Sequence, residues 1–281
     1  MRSLDLLASG LAAGDKPLVV SIVGGGGKTS LLFALASDAA ESGFQVLVTT
    51  TTRIYDPLDE GRAFDAFRLD EAWAPSTNPI ASFSSPVTRV LPLPNETVSS
   101  AGRRHEEGFV CVLASGVDSG KLKGIDPALI DAATGWSLIL VEADGARHLP
   151  LKAPADHEPV IPASSRVVIA VIGLDCLGRP LDDAIAFRPE LVARAAGLAM
   201  GSIIEPHHLA ALASNEAGCF KGTPAGALRV FVLNKLDLTD YDTALTSARA
   251  VLDCGSADLV ALASLRNLDP TRRIPVLMQR L

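Results

Sequence analysis

The chain has 281 residues, of which 48% are hydrophobic, 20% charged and only 5% aromatic. This composition is typical of a globular protein with an aliphatic core, and it excludes a disordered or collagen-like chain. The net charge of −7 lacks the basic surplus of a nucleic-acid-binding protein. Four widely spaced cysteines, and apolar runs far shorter than the roughly 18 residues of a membrane span, predict a cytoplasmic protein without disulfides.

Short runs rich in Val and Ile alternate with helix-like stretches along most of the chain. The predicted strands are 18–23, 45–49, 109–113, 137–142, 166–172, 229–233 and 258–262. The predicted helices are 29–41, 127–133, 189–199, 206–213 and 243–252. Continuous apolar strands are buried on both faces, so the pattern predicts an α/β fold with a mainly parallel sheet flanked by helices.

Residues 55–108 break this alternation. Six prolines punctuate the stretch, and short alternating pieces such as Ile80–Phe83 are typical of β-hairpins. We predict a single domain over 1–281, with 55–108 as a β-rich insertion within it.

A glycine-rich loop joins the first predicted strand to the first predicted helix. Seven residues form the loop and the start of the helix: Gly24, Gly25, Gly26, Gly27, Lys28, Thr29 and Ser30. In a P-loop NTPase such a loop wraps the phosphates with its N–H groups, the Lys reaches the β- and γ-phosphates, and the next hydroxyl binds Mg²⁺. The loop therefore predicts a P-loop NTPase fold that uses Mg²⁺ with GTP or ATP. Ile22 stands where the strict pattern has glycine, so the loop fits a variant in which the glycines crowd next to Lys28.

The strand over 137–142 ends in two acids and a glycine, Glu142, Asp144 and Gly145. We expect this strand to lie beside the first one, so that its acids meet the glycine loop. An acid there can hold the Mg²⁺ shell or orient water, and the glycine N–H can meet a γ-phosphate. We predict Lys28, Glu142 and Asp144 as catalytic residues, with Thr29 and Glu142 at the metal. Acids that merely cap the following turn are the alternative.

The strand over 229–233 leads into Asn234-Lys235-Leu236-Asp237. In GTP-binding P-loop proteins the Asp of this tetrapeptide accepts hydrogen bonds from guanine, and the Lys stem lies along the purine ring. The motif favours GTP over ATP. A turn stabilised by local Asn and Asp hydrogen bonds is the alternative.

Hydroxyls and cations in three further segments predict a second-ligand site. The candidates are Thr51, Thr52, Arg53, Arg147, Lys152, His157 and Arg188. The segment 147–160 follows Gly145 directly, so a γ-phosphate contact there could order it and complete an anion site. A surface loop with solvated charges is the alternative.

Six segments together resemble the YqeC family. They are VGGGGKTS at 23–30, VTTTTR at 48–53, VEADGA at 141–146, LKAPADHEPV at 151–160, VIGLD at 171–175 and LNKLD at 233–237. The order of the phosphate, acid and Asn-Lys-x-Asp motifs also resembles the metal-delivery and cofactor-insertion GTPases. The YqeC resemblance implies an accessory factor for selenium-dependent molybdenum hydroxylases, involved in making their selenium-containing cofactor. The implied partner is a client hydroxylase, and a homodimer is one open alternative for the assembly.

The leading hypothesis is a GTPase or NTPase accessory protein whose nucleotide sets the conformation of 143–160. That conformation would control delivery or modification of a cofactor component. One alternative is a small-molecule kinase or transferase that holds its acceptor with Lys152, His157 and Arg188. Another is a nucleotide-gated binding module with negligible turnover.

Overall fold

The computed structural model describes residues 6–7, 16–56, 64, 66–69, 108–267 and 269–279. The strands are β1 (Leu18–Gly24), β2 (Gln45–Thr50), β3 (Arg53–Tyr55), β4 (Ala66–Leu69), β5 (Phe109–Ala114), β6 (Gly116–Asp118), β7 (Lys121–Lys123), β8 (Leu138–Glu142), β9 (Leu151–Lys152), β10 (Ser165–Gly173), β11 (Ala186–Phe187), β12 (Leu228–Asn234), β13 (Leu259–Leu262) and β14 (Val276–Gln279). The helices are α1 (Lys28–Glu41), α2 (Pro127–Asp131), α3 (Pro189–Ala196), α4 (Pro206–Ser214) and α5 (Tyr241–Asp253).

Within the described residues, nine strands form one sheet in the order β14-β13-β12-β10-β1-β8-β2-β5-β4. All neighbours are parallel except β13 and β14. Every strand and helix predicted above is present, with ends shifted by a few residues. The α/β class and the mainly parallel sheet are therefore confirmed.

The strand that ends at Glu142 lies directly beside β1, as expected. Ile22 of β1 is opposite Glu142 of β8, so the acid is level with the last residues before the glycine loop. The Thr50 hydroxyl on the other side of β8 donates to the Glu142 carbonyl at 2.8 Å. Glu142 is thus fixed from both neighbouring strands.

Both faces of the sheet are covered by apolar side chains. On one face α1 packs Leu31, Leu32 and Leu35, each fully buried. On the other face the fully buried residues include Leu209 of α4 and Val251 of α5. A fully buried side chain of this size contributes roughly 1.5–3 kcal/mol, so α1 is anchored firmly along its length. Its first residues, which belong to the glycine motif, are held in place as a consequence.

The short strands were not predicted, because two to four residues carry little periodicity. β3, β7 and β6 form a separate three-stranded sheet, and β9 pairs with β11. Within the predicted insertion, β4 pairs in parallel with β5 as an edge strand of the main sheet. The predicted hairpin piece at 80–83 lies outside the described residues, and the insertion stays a prediction.

Among the described residues, no helix combines the length and the apolar character required to cross a membrane.

Candidate functional site

A cleft of about 1250 Å³ opens at the carboxyl ends of the parallel strands, where open α/β sheets bind ligands. Seventeen of the twenty site residues predicted from the sequence line it. They are Gly25, Gly26, Gly27, Lys28, Thr29, Ser30, Thr51, Thr52, Arg53, Glu142, Gly145, Arg147, His157, Arg188, Asn234, Lys235 and Asp237. The other three, Gly24, Asp144 and Lys152, lie together at a small void behind the loop.

The glycine loop bends tightly around the end of β10. Gly26 has a φ of +69°, and a Cβ on it would lie 2.0 Å from the Gly173 nitrogen. The Gly25 and Gly26 nitrogens donate to the carbonyls of Val171 and Leu149, both at 2.9 Å. Only glycine fits at Gly26, because both the backbone conformation and the space exclude a side chain.

Lys28 begins α1 and is 4% exposed. Its ammonium donates to the Gly24 carbonyl at 2.7 Å and lies 3.2 Å from Asp144 and 3.7 Å from Glu142. Burial alone would lower the pKa of Lys28, but the two carboxylates outweigh it and the pKa is raised. The ammonium therefore stays charged at the floor of the cleft.

Thr29 and Glu142 bring two oxygen ligands together at the same floor. The Thr29 hydroxyl donates to Glu142 Oε2 at 2.9 Å. Hydroxyl and carboxylate oxygens are the hard donors that Mg²⁺ takes, usually with phosphate oxygens and water completing the shell. The two oxygens therefore fit part of the donor set of a magnesium site.

Asp144 lies behind the loop, although the sequence left it equal to Glu142 as a catalytic candidate. Its Oδ2 accepts from the Gly24 nitrogen at 3.1 Å, and its carboxylate pairs with Lys28 and, at 3.0 Å, with Lys152. Its side chain is 2% exposed and does not line the cleft. Of the two acids, Glu142 is the one placed to meet a ligand.

Lys152 is also withdrawn from the cleft, against the expectation that it would bind a second ligand. Its side chain is 0% exposed, and its ammonium donates to the Gly145 carbonyl at 2.6 Å and pairs with Glu158 at 2.9 Å. Glu158 in turn pairs with Arg188. Burial alone would raise the pKa of Glu158, but Lys152 and Arg188 outweigh it and hold the pKa below its usual range. Lys152 therefore acts as a brace, meaning that its buried ion pairs and hydrogen bond stabilise the segment 147–160.

Asn234 connects two loops on the other side of the glycine motif. Its Nδ2 donates to the Gly26 carbonyl at 2.7 Å, and its Oδ1 accepts from the Leu265 nitrogen at 3.1 Å. Lys235 pairs with Asp175 at 2.6 Å, and Asp237 is exposed on the cleft wall. Asn234, Lys235 and Asp237 therefore form one end of the cleft together with the segment after β13.

The remaining second-ligand candidates lie on the walls of the cleft. The Thr51 hydroxyl donates to the Val160 carbonyl at 2.6 Å, and Arg53, 63% exposed, pairs with Asp118 at 2.9 Å. Arg147 and His157 are exposed, whereas Arg188 is partly buried. The sequence reasoning missed further lining residues, namely Tyr55, Lys121, Lys123, His148, Asp175, Phe187, Leu265 and Arg266. Asp175 could have been found, since it ends one of the segments that carry the YqeC resemblance.

Glu205, His207 and His208 lie close enough together to be compared with a metal site. The Glu205 nitrogen donates to His208 Nδ1 at 3.0 Å, which completes a capping box at the start of α4. Helix capping accounts for this cluster.

Cys176, which follows β10, is fully buried, and burial raises the pKa of its thiol to about 12. That thiol is inert toward the cleft.

We expect Lys152→Met to lower the free energy of unfolding by about 3–5 kcal/mol, because the buried carboxylates of Asp144 and Glu158 each lose one of their two cationic partners. The exposed Lys16→Met serves as control and should change stability by less than about 0.5 kcal/mol. Urea unfolding at pH 7 measures both. Equal stability of the two variants would contradict the role of Lys152 as a brace.

The same variant should change the acid sensitivity of the fold. The pKa of Glu158 is lower in the folded chain than the ordinary 4.5, so its pairing stabilises the fold above that pH. This contribution is lost as the pH falls through the folded pKa. Since Lys152 lowers the pKa of Glu158, the loss of stability below pH 4.5 should be smaller in Lys152→Met than in wild type.

Comparison with known proteins agrees with the motifs that this site assembles. The chain matches the family described as YqeC protein over residues 20–190. It is 36% identical over 228 residues to "Uncharacterized protein YqeC" of Escherichia coli (strain K12), and the match covers 80% of this chain and 78% of that protein. No solved structure matches the chain. The extent of these matches shows that the chain belongs to the YqeC family.

Proposed function

We propose that the chain is a P-loop NTPase that binds a magnesium–nucleoside triphosphate in the cleft, with GTP favoured over ATP. The proposal rests on the position of Glu142. One of its carboxylate oxygens accepts from the Thr29 hydroxyl at 2.9 Å, and the other lies 3.7 Å from the Lys28 ammonium. A cation and a hydroxyl at the start of α1, beside a carboxylate at the end of β8, are the groups that a magnesium–triphosphate requires. They stand at the N-terminus of α1, where the helix dipole adds positive potential.

In this proposal the role of each site residue follows from its position in the cleft. Lys28 brings a permanent positive charge to the phosphates, because two acids keep it protonated in a buried place. Thr29 and Glu142 hold magnesium, which supplies charge neutralisation on the β- and γ-phosphates. Gly145 lines the cleft three residues after Glu142 and offers its N–H to the γ-phosphate. Glu142 also orients water for hydrolysis in this proposal.

The choice of GTP rests on the end of the cleft beside β12. Asn234 fixes the segment at Leu265 against the glycine loop, so Asp237 and that segment face the same space. In this proposal, the Asp237 carboxylate accepts the two N–H donors that guanine presents. Adenine presents no such pair to a carboxylate.

We further propose that the nucleotide state controls a step in cofactor supply to a selenium-dependent molybdenum hydroxylase. The resemblance of six sequence segments to the YqeC family supports this role. A hydroxylase produced in cells that lack this chain, or carry only its Lys28→Ala variant, should accumulate as polypeptide but lose activity. Full hydroxylase activity in those cells would contradict the role in maturation and leave nucleotide binding unaffected.

For nucleotide binding itself, Lys28→Ala should weaken magnesium–GTP about ten- to a hundredfold, because a charge-assisted hydrogen bond contributes about 1.5–3 kcal/mol. Titration calorimetry with a non-hydrolysable GTP analogue measures the change. Lys16→Ala, which removes one exposed charge outside the cleft, is the matched control. The variant also loses the pairs of Lys28 with Asp144 and Glu142, so the titration is run well below its melting temperature. Equal affinities in both variants would exclude a phosphate role for Lys28.

Base selection gives a separate prediction. Asp237→Asn should weaken GTP about ten- to a hundredfold and admit xanthosine triphosphate, because an amide can donate to the extra carbonyl of xanthine. Asp242→Asn, an equal change of charge at an exposed position in the first turn of α5, should leave both affinities unchanged. Preference of the wild type for ATP, or unaltered GTP binding in Asp237→Asn, would show that the tetrapeptide is only a turn.

A further inference from the structure

The cleft extends on both sides of the glycine loop. The residues proposed for the base follow β12 and β13, which lie on one side of β1 in the sheet. On the other side, β3 follows β2, and the β6–β7 hairpin follows β5. With strands roughly 4.8 Å apart, β2 and β5 lie roughly 10 and 14 Å from β1. A nucleotide that spans the side from β13 to β1 leaves the part of the cleft over β8, β2 and β5 for another molecule. We call this part the second end of the cleft.

One wall of the second end is the small sheet of β3, β7 and β6. Arg53 is paired opposite Lys123, and Tyr55 opposite Lys121. The residues between them, Ile54 and Leu122, are buried in the core on the other face. One face of this sheet is therefore apolar and packed, while the other presents three cations and a tyrosine to the cleft.

The cations of that face outnumber the acids that can neutralise them. Arg53 and Lys123 are directly opposite each other, and like charges in such pairs are destabilising. Asp118 is opposite Lys121 in the β6–β7 pair, but its carboxylate pairs with Arg53 at 2.9 Å. The Lys121 ammonium lies 4.4 Å from the centre of the Tyr55 ring. No carboxylate among the described residues forms an ion pair with Lys121 or Lys123. An anionic ligand would supply the missing countercharge.

The facing wall carries two guanidinium groups on one aromatic ring. Arg147 and Arg188 lie 4.9 and 4.5 Å from the centre of the Phe187 ring. His148 stacks on Tyr55 at 4.5 Å, which joins the two walls. A guanidinium held by a ring keeps its planar set of N–H donors in a fixed orientation, and that fork matches the oxygens of a phosphate. Arg188 uses one of its nitrogens to pair with Glu158, so a phosphate would meet its remaining N–H donors and those of Arg147.

The backbone is strained at the same place. Of the five described non-glycine residues with positive φ, four line the cleft, and three of these, Arg147 (49°), His148 (62°) and Arg188 (60°), belong to its second end. Such a conformation is energetically unfavourable for a residue with a side chain and persists only where the surrounding structure imposes it. Such strain clusters at ligand sites, and here it turns basic side chains into the cleft.

We propose that this second end binds a small phosphorylated molecule beside the γ-phosphate of the nucleotide. Its phosphate lies between the cations of the small sheet and the guanidiniums on Phe187. The cleft as a whole is lined by eight Lys and Arg against four acids, in a chain where acids outnumber them 32 to 25. The acidic remainder of the chain argues for a small ligand rather than a nucleic acid, which needs a basic surface beyond the cleft. The proposal rests on the proposed function only in placing this molecule beside a nucleotide. The anion site itself is argued from different residues.

Inorganic phosphate tests the site in wild-type protein saturated with Mg²⁺ and a non-hydrolysable GTP analogue. Thermal stability is followed as phosphate replaces chloride at constant ionic strength. Lys121→Ala/Lys123→Ala is compared with Arg166→Ala/Arg249→Ala, which removes two equal charges from exposed positions outside the cleft. We expect saturable stabilisation of the wild type and of the control. The half-saturating phosphate concentration should rise at least tenfold in Lys121→Ala/Lys123→Ala, while affinity for the GTP analogue is unchanged in all three proteins.

The outcomes separate the alternatives. Equal phosphate responses in the two double variants would overturn the site, given that retained affinity for the GTP analogue shows that both are folded. A 15-nucleotide RNA that binds the wild type but not Lys121→Ala/Lys123→Ala, without any phosphate response, would assign the cations to nucleic acid and overturn the small-ligand proposal. A wild type that fails to bind the GTP analogue would refute the proposed function. In that case circular dichroism checks folding, and the phosphate titration without nucleotide still decides the second site.

Discussion

The buried carboxylate of Asp144 holds the candidate site together. It accepts a hydrogen bond from the Gly24 nitrogen and is shared by the ammonium groups of Lys28 and Lys152. Breaking a buried pair by removing one partner is strongly destabilising, because the remaining charge stays out of water. The glycine loop, the end of β8 and the segment around β9 are therefore constrained as one unit. A change of charge beside Lys28 therefore alters the electrostatic environment of Lys152 through Asp144, and that of Arg188 through Glu158.

The charge that lines the cleft is opposite in sign to the net charge of the chain. A net acidic protein places most of the cleft-facing charge as Lys and Arg, and it holds several of them with aromatic rings or strained backbone. Because most of the acids lie elsewhere and only four line the cleft, the cleft keeps a local positive potential that attracts anions. Of the four acids that do line the cleft, Glu142 stands at the floor beside Thr29, where a divalent cation can offset its charge.

Much of the fold could be predicted because its main strands are continuous apolar runs. The adjacency of β8 and β1 followed from reading Glu142 as the partner of the glycine loop, and the sheet has that arrangement. Lys152 shows where such reasoning fails. A lysine among acids and prolines has the composition of a surface loop, but in the fold Lys152 is buried in β9 with its ammonium between Asp144 and Glu158.

Local pattern fails in a second way at β3 and β7. Arg53-Ile54-Tyr55 and Lys121-Leu122-Lys123 are too short and too polar to predict as strands, yet they form a wall of the cleft. Each segment has one apolar residue between two polar ones. A half-buried strand shows the same alternation, but three residues are too few to recognise it. The signal becomes informative only after the two segments are known to pair. The residues that chemistry requires at fixed spacing, such as Lys28 and Thr29, were found more readily than those placed by tertiary contact.

The bridge made by Asn234 has a consequence for how the protein is synthesised. The amide joins Gly26 to a residue 208 positions later and also holds Leu265, a further 31 positions along the chain. A ribosome that adds about 5–20 residues per second needs roughly 10–50 s to pass from the glycine loop to that last contact. During this interval the loop has been made but lacks the amide that fixes it. In a nascent chain the glycine loop therefore lacks this support until the segment at Leu265 has been made, and the cleft is complete only after that point.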